Sequence, residues 1–291
     1  MLRHLLFSCV FLIHAASAAD GPIKHPIMVA EYGASPNRLI ELDADGKLVW
    51  EHKPPSTMVC FQVLASGNVL YGFGGKPTGM REVTRKGDEV WRYTSTCGQL
   101  FCGTRLANGN TLIAEQGPCQ AVEVDAHGKL VLTTPLTTSY KSVHQQVRNV
   151  QKLENGNILA AHEGEGAVRE VDPAGKVVWE LTGVPMVGHA IRQANGNTLI
   201  AGATQKRVFE VSPDKQVVWE FGAADAPDLN LTWVSGLQPL KNGNLVVTNF
   251  LRGSTGKGAH AFEVTRDKKV VWQWADHALC KAVTNVRVLD D

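Results

Sequence analysis

A short turn centred on glycine and followed by asparagine recurs along the chain and strongly limits the folds open to it. Each turn precedes a β-rich run, and Asn-Gly favours positive φ at both central positions of a hairpin turn. Every copy therefore predicts a β-hairpin. The five copies lie at residues 66–68, 108–110, 155–157, 195–197 and 242–244.

A second pattern, a strand, a turn and a strand that ends in a bulky apolar residue, accompanies the first. Clear copies read VREVDPAGKVVWE and VFEVSPDKQVVWE. Six units with a period of roughly 40–50 residues are typical of β-propellers. The bulky positions are Trp50, Trp91, Leu132, Trp179, Trp219 and Trp272.

The two ends of the chain complete one another. HPIMVAEYG near the start matches the strand after the turn, and AVTNVRVLDD at the end matches the strand before it. We therefore predict an all-β fold: a six-bladed β-propeller of four-stranded antiparallel blades, closed by a blade shared between the N- and C-terminal strands. The predicted blades are 27–52 with 280–290, 57–93, 98–134, 142–181, 186–221 and 231–274.

Residues 1–19 have the composition of a secretory signal peptide. Arg3 is basic, Leu5 to Ile13 form an apolar run, and small residues follow at 16–19. The apolar run is too short to cross a bilayer, and no later stretch is apolar enough. We expect a single propeller domain, residues 20–291, that is secreted or periplasmic and has no membrane span.

Charge and composition narrow the classes of partner. The formal net charge is +1, and 20% of the residues are charged. No basic run with interleaved aromatic residues occurs, so a nucleic-acid partner is not expected. The partner classes left open are a small molecule, a glycan or a protein.

The pair NGNTLIA and VDPAGKVVWE resembles the PQQ-like β-propeller repeats, over essentially all of the mature chain. This superfamily includes quinoprotein dehydrogenases, the propeller lipoprotein of outer-membrane assembly and bacterial arylsulfotransferases. The phrase SVHQQVRNVQKLENGNILAAHE is most similar to the arylsulfotransferase branch, in which a histidine precedes the NGN turn. Quinoprotein dehydrogenases have eight blades and a vicinal cysteine pair. This chain has six repeats and no adjacent cysteines, so we expect no cofactor, PQQ included.

Two residue types at fixed repeat positions are predicted to be structural. A tryptophan on the outer strand can wedge between neighbouring blades and bury ~150–250 Å². A binding or catalytic site is normally asymmetric, so an acid repeated in every blade is expected to be a hydrogen-bond acceptor. The alternatives are an aromatic ligand cage and catalysis. The acids are Glu41, Glu82, Glu123, Glu170, Glu210 and Glu263.

Polar residues that break the repeat fall on the face where the inner strands begin and the second strands end. A ligand is expected there, at the mouth of the channel. The inner strands also place a varied ring in one register. That ring is Cys60, Cys102, Asn149, His189, Gly236 and Asn285.

The leading hypothesis is a binding or interaction module that uses this mouth face, with His162, Glu31, Glu115, Asn249 and Trp233 as ligand-binding residues. The alternative is an arylsulfotransferase-like enzyme. Its catalytic residues would be His144, His189 and Arg148, with a histidine as nucleophile or acid–base and the others stabilising sulfuryl oxygens.

Structural interpretations stand beside these roles. A histidine on an inner strand can simply line the channel, and Arg148 can pair with an acid such as Glu115. Glu163 and Glu165 are expected in a solvated acidic loop. Three histidines with an acid could bind a metal, but no HxH or HExxH spacing supports this, so no metal site is predicted.

Five cysteines remain after the signal peptide, so at most two internal disulfides are possible. Cys97 and Cys119 both belong to loops at the mouth of blade 3, and we predict a disulfide between them. Cys60 and Cys102 share a register on adjacent inner strands, where they either pair or remain buried thiols. Cys280 would be the spare thiol.

Overall fold

A computed structural model describes residues 24–32, 37–252, 254 and 256–291. The predicted signal peptide, residues 1–19, lies outside the described residues. Twenty-four strands form six antiparallel sheets of four strands each, and each sheet is one blade of a propeller. The six-bladed all-β fold predicted from the repeats is confirmed.

Blades 2 and 3 are continuous in sequence, whereas blade 1 combines three N-terminal strands with the last strand of the chain. Blade 1 contains β1 (Ile27–Glu31), β2 (Arg38–Leu42), β3 (Leu48–His52) and β24 (Val283–Val288); blade 2 contains β4 (Thr57–Val63), β5 (Val69–Gly74), β6 (Gly79–Val83) and β7 (Glu89–Thr94); blade 3 contains β8 (Gln99–Arg105), β9 (Thr111–Gln116), β10 (Gln120–Val124) and β11 (Leu130–Pro135).

The last three blades are each continuous in sequence. Blade 4 contains β12 (Asn149–Lys152), β13 (Ile158–His162), β14 (Ala167–Val171) and β15 (Val177–Leu181); blade 5 contains β16 (Val187–Arg192), β17 (Thr198–Gly202), β18 (Arg207–Val211) and β19 (Val217–Gly222); blade 6 contains β20 (Val234–Pro239), β21 (Leu245–Asn249), β22 (Ala261–Val264) and β23 (Val270–Trp274).

Helix is confined to two single 3₁₀ turns within the described ranges, at Val143–Gln145 and Pro227–Leu229. No helix in this part of the chain is long and apolar enough to cross a bilayer. Blade 1 closes the ring as predicted, because β24 pairs antiparallel with β1, with Val286 opposite Val29.

The repeated turns differ in one detail from expectation. The turn glycines have φ between 83° and 86°. The residue before them does not have positive φ, so the expectation of two such positions was wrong. In blade 4 the side chain of Asn155 instead accepts a hydrogen bond from the backbone N–H of Asn157, at 3.0 Å. Asparagine caps the turn through its side chain, and only glycine adopts the left-handed conformation.

The hydrophobic core consists of six clusters, one between each pair of neighbouring blades. Between blades 4 and 5, for example, Leu159 and Ala161 pack against Ile200 and Phe209. Trp179 of the outer strand β15 packs against this cluster, and its Nε1 donates to the backbone O of Pro213, at 2.8 Å. The predicted role of the tryptophans as wedges between blades is confirmed.

The repeated glutamates are also structural, as predicted. Glu170 accepts a hydrogen bond from the side chain of Asn157 in its own turn, at 2.7 Å, and pairs with Arg192 of the next blade, at 3.1 Å. The guanidinium of Arg192 lies over the ring of Trp179. Each glutamate meets a cation from the following blade in this way: Glu41–Arg85, Glu82–Arg105, Glu123–Lys152, Glu170–Arg192, Glu210–Arg266 and Glu263–Lys24.

Side-chain amides connect the inner strands around the channel. Asn149 of β12 donates to the backbone O of Ala190 on β16, at 2.8 Å, and accepts from its N–H, at 2.9 Å. Gln238 of β20 makes the same pair of bonds with the backbone of Val288 on β24, at 3.2 and 2.9 Å. Inner strands of different blades share no backbone ladder, so these amides serve as the link. We call them the amide belt.

The predicted Cys97–Cys119 disulfide is absent: in the structure all five cysteines outside the predicted signal peptide are free thiols. Cys97 packs with the cluster between blades 2 and 3, whereas Cys119 lies in the cluster between blades 3 and 4. The sheet of blade 3 therefore separates the two sulfurs. Cys60 and Cys102 are unpaired as well.

Candidate functional site

A cavity of about 280 Å³ opens at the face where the inner strands begin and the second strands end. This is the mouth face identified from the sequence. Three of the predicted site residues line the cavity together: His144, Arg148 and Trp233. The cavity is also lined by Tyr32, Glu163, Phe250 and Arg252.

Arg148 and Glu163 form a buried ion pair in this mouth cavity. Arg148 Nε lies 2.5 Å from Glu163 Oε2, and the Glu163 side chain is only 3% exposed. Burial raises the pKa of Glu163, while the positive charges of Arg148 and Arg252 act in the opposite direction. The expectation of a solvated acidic loop was therefore wrong, and Glu163 rather than Glu115 is the partner of Arg148.

His144 is held at the mouth by the 3₁₀ turn Val143–Gln145. Its Nδ1 lies 3.0 Å from Oε1 of Gln99, and its ring meets Phe101 edge-on. Burial, together with the charge of Arg148, lowers the pKa of His144. Because its ordinary value is already below 7, the imidazole is neutral at neutral pH. No hydrogen-bond partner of Nε2 is found among the described side chains, so this nitrogen is free to contact a ligand.

Aromatic side chains from blades 1 and 6 form the opposite wall. Trp233 precedes β20 and Phe250 follows β21, and the backbone N–H of Phe250 donates to the carbonyl of Trp233, at 2.8 Å. Tyr32 meets Phe250 edge-on, at 5.8 Å between ring centroids. The exposed guanidinium of Arg252 lies over the Trp233 ring, 5.2 Å from its centroid. The mouth cavity thus joins an aromatic wall to two guanidinium groups and one carboxylate.

A second cavity of about 570 Å³ occupies the central channel and reaches the face that carries the repeated turns. It contains the register ring predicted from the inner strands: Cys60, Cys102, Asn149, His189 and Asn285 line it, together with Arg287. Burial lowers the pKa of His189 to about 3, with a smaller contribution from Arg287. His189 therefore lies in the channel and not in the mouth cavity with His144, although Cys60 lines both cavities.

Four predicted ligand-binding residues do not line either cavity. Glu31 is paired with Arg38, at 2.6 Å, and Glu115 accepts a hydrogen bond from Tyr93, at 2.9 Å. Asn249 accepts from the backbone N–H of Thr232, at 2.9 Å, which holds the loop before β20. These three side chains organise loops at the mouth face.

His162 is the fourth of these residues. It is fully buried, and neither ring nitrogen has a hydrogen-bond partner in the described ranges. Burial, with a further contribution from Arg169, lowers its pKa to about 4. Within the part of the chain that the structure describes, no three His, Cys, Asp or Glu side chains form a metal-binding group.

Several cavity residues were missed by sequence reasoning. Arg252, Phe250 and Tyr32 lie in loops after second strands, where no repeat register assigns a direction to a side chain. Arg287 had a readable signal: it lies two residues after Asn285 on the same strand, and alternate residues of a strand face the same side.

The fold and its two cavities define the class of protein. It is a propeller of PQQ-like repeats with one cavity at its mouth and another in its channel. The family described as outer membrane protein assembly factor BamB matches residues 27–165, which covers strands β1 to β13. The match and the six-bladed fold together support the resemblance to PQQ-like β-propellers that the repeats predicted.

Solved structures extend the comparison of the fold. A Bacteroides caccae protein of unknown function is 24% identical, with a TM-score of 0.80, over 93% of this chain and 100% of that one. Virginiamycin B lyase from Staphylococcus aureus, solved with quinupristin, is 12% identical with a TM-score of 0.58, over 86% and 84%. A chain of a nidogen/laminin complex is 8% identical with a TM-score of 0.63, over 90% and 97%. No curated protein matches the chain.

Proposed function

We propose that this protein is an exported binding module and that its mouth cavity accepts a small ligand with an aromatic ring and an anionic group. The observation that supports this proposal is that an aromatic wall and two guanidinium groups line the same cavity. Trp233, Phe250 and Tyr32 provide ring contacts, and Arg252 and Arg148 provide positive charge. Export rests on the predicted signal peptide, residues 1–19.

The charges in the mouth cavity favour an anion. Arg148 is paired with Glu163, whereas Arg252 is exposed and forms no ion pair with a described carboxylate. His144 adds no charge at neutral pH because its pKa is lowered. The cavity therefore carries a net positive charge beside aromatic rings, and guanidinium groups bind planar and tetrahedral oxyanions through paired hydrogen bonds.

Calorimetry with three probes tests the ligand class: 4-nitrophenyl sulfate, inorganic sulfate, and the neutral 4-nitrobenzyl alcohol. The aryl sulfate should bind most tightly, because it alone has both the ring and the charge. Trp233→Leu and Arg252→Gln should each weaken its binding about 10-fold, the effect of losing a charge-assisted or stacking contact. Arg92→Gln is the matched control, since Arg92 is 69% exposed on an outer strand. Equal binding of the three probes, or no effect of either mouth variant, would refute this ligand class.

Sulfuryl transfer is the second candidate function, favoured by the unpartnered Nε2 of His144 beside Arg148. In that reaction Nε2 attacks sulfur, the aryl oxygen leaves with the bonding electron pair, and a phenol acceptor later takes the sulfuryl group. Release of 4-nitrophenolate in the presence of phenol, lost in His144→Ala, would support the enzyme. Binding of the aryl sulfate without turnover supports the binding module. His189 lies in the other cavity, so His189→Ala should leave either activity unchanged.

A further inference from the structure

The central channel contains a cation without an anionic partner. Arg287 lies on β24 and lines the cavity of about 570 Å³. Its Nη1 donates to the backbone O of Leu237, at 2.5 Å, and it forms no ion pair with any carboxylate of the described residues. An arginine has five donor N–H groups, so most of its hydrogen-bonding capacity is unused.

The titratable groups around Arg287 do not compensate its charge. Burial raises the pKa of Cys102 to about 12 and also raises the pKa of Cys60, so both thiols are protonated at neutral pH. His189 is neutral because burial lowers its pKa to about 3. Asp291 is exposed and accepts a hydrogen bond from the backbone N–H of Lys241, at 2.8 Å. Arg287 is half-buried, a charge partly removed from water without a partner is costly, and a bound anion would reduce that cost.

Two neutral polar side chains beside Arg287, those of Asn285 and His189, are also available to a ligand. The side-chain amides of Asn149 and Gln238 are not available, because they already form the hydrogen bonds of the amide belt. Asn285 does not belong to the belt: its Oδ1, which can only accept, is buried without a hydrogen-bond partner, and its side-chain N–H groups are the donors available to an anion. The imidazole of His189 has no hydrogen bond to another described residue. The channel therefore offers one guanidinium, one amide and one imidazole in a single cavity.

We propose that the central channel binds a small oxyanion through Arg287, with Asn285 and His189 completing the polar contacts. The shared chemistry is a carboxylate, phosphate or sulfate group, which a guanidinium binds with two parallel hydrogen bonds. The cavity is within the size range of small-molecule sites, so an organic acid fits as well as an inorganic ion. Its residues Leu64, Ala65 and Leu289 place the entrance at the turn face, opposite the mouth cavity.

The test uses thermal unfolding and calorimetry with citrate and with inorganic phosphate, at constant ionic strength with chloride as reference. Binding to the folded state should raise Tm by about 5–10 °C at 100 times Kd. Arg287→Gln should weaken binding at least about 10-fold and reduce the shift to about half or less. Arg252→Gln, at the mouth, should keep it. A stronger response to citrate than to phosphate identifies an organic acid, and the reverse identifies an inorganic oxyanion.

Without a probe, Arg287→Gln should unfold at the wild-type temperature or above, because it removes an unpaired, half-buried charge. A clear fall in Tm would mean that Arg287 is structural and would contradict the proposal, as would probe binding by Arg287→Gln within twofold of wild type. If Arg287→Gln does not fold, Arg287→Lys and Asn285→Ala replace it, and wild-type affinity in both would overturn the site. The site would also be overturned if citrate and phosphate raise the Tm of the wild-type protein no more than chloride does. The proposed function is tested separately, by binding of 4-nitrophenyl sulfate to the wild type and to the mouth variants Trp233→Leu and Arg252→Gln.

Discussion

Arg148 and Glu163 face each other across a hydrogen bond of 2.5 Å in the mouth cavity, where both side chains are largely removed from water. Arg148 lies just before an inner strand and Glu163 just after the neighbouring second strand of blade 4. The pair ties the two elements that border the cavity, and it also neutralises half of the positive charge there. Its carboxylate therefore limits how strongly the mouth attracts an anion.

Replacing Glu163 with the isosteric glutamine should release Arg148 for the ligand. We expect Glu163→Gln to bind 4-nitrophenyl sulfate about 10-fold more tightly, because one more guanidinium is unpaired. The variant should lose about 1–3 kcal/mol of stability, because Arg148 is left without its anion. Glu89→Gln, on the outer strand β7, is the control. Calorimetry that finds affinity unchanged or lower would show that Arg148 does not reach the ligand.

The amide belt should make a measurable contribution to the stability of the ring. Asn149→Ala leaves the backbone N–H and C=O of Ala190 without partners in a buried position. Each unsatisfied group costs about 1–3 kcal/mol, so urea unfolding should show a loss of about 2–5 kcal/mol. Gln216→Ala, at an exposed outer turn, should change stability by less than about 0.5 kcal/mol. Similar values for the two variants would mean that the belt is dispensable.

The contact of Glu170 and Arg192 between blades can be isolated by a double-mutant cycle. Glu170→Gln and Arg192→Met each break the 3.1 Å ion pair, and Arg192→Met also removes the guanidinium from the Trp179 ring. Both side chains are mostly buried, so the coupling energy should reach about 1 kcal/mol or more, above the value usual for surface pairs. A coupling near zero in urea unfolding would assign the repeated glutamate to its own turn alone.

Acid should destabilise the protein in two separate ranges of pH. Burial lowers the pKa of His162 and of His260 to about 4, so the unfolded chain binds more protons than the folded one below about pH 6.5. Stability is therefore fully present above that pH and falls as the pH drops toward 4. Burial opposes the shift of Glu165, but hydrogen bonds from Ser139 and Thr138 hold its pKa at about 2, so its contribution is lost only below about pH 4.5.

The loss of stability in the upper pH range, from about 6.5 toward 4, should respond to substitution of His162. His162→Leu removes a buried imidazole that must stay neutral, and the fall in stability between pH 6.5 and 4.5 should become smaller by about 2 kcal/mol. Urea midpoints measured across pH provide the readout, with the exposed His127→Gln as control. An identical pH slope in His162→Leu and wild type would remove His162 as the cause.

The sequence was informative wherever a signal repeats. Turn glycines, outer tryptophans and the glutamate register are local patterns, and five or six copies of each average out exceptions, so blades and closure were predictable. The register also identified which residues face the channel. It could not distinguish their partners: Asn149 and His189 occupy the same register, yet one bonds to a neighbouring strand and the other faces the cavity.

Errors arose where one blade meets the next or where a loop folds back. Glu163 is buried because Arg148, 15 residues earlier, reaches it, which no local pattern encodes. Cys97 and Cys119 are near in loop position, but they pack on opposite sides of the blade 3 sheet. Phe250 and Arg252 follow the second strand of blade 6, in a loop where no repeat register orients them.

The shared blade has a consequence for how the chain assembles. β1 pairs with β2 on one edge, but the partner of its other edge is β24, and the contacts of β1 with β24 join residues 254 positions apart, as between Ala30 and Thr284. Blades 2 to 6 can each pair their strands from local sequence, whereas blade 1 must wait for the last strand to be synthesised. Until then the protein is an open arc with two unprotected ends. A chain cut before Val283 would lose only a few residues and yet leave the whole ring unclosed.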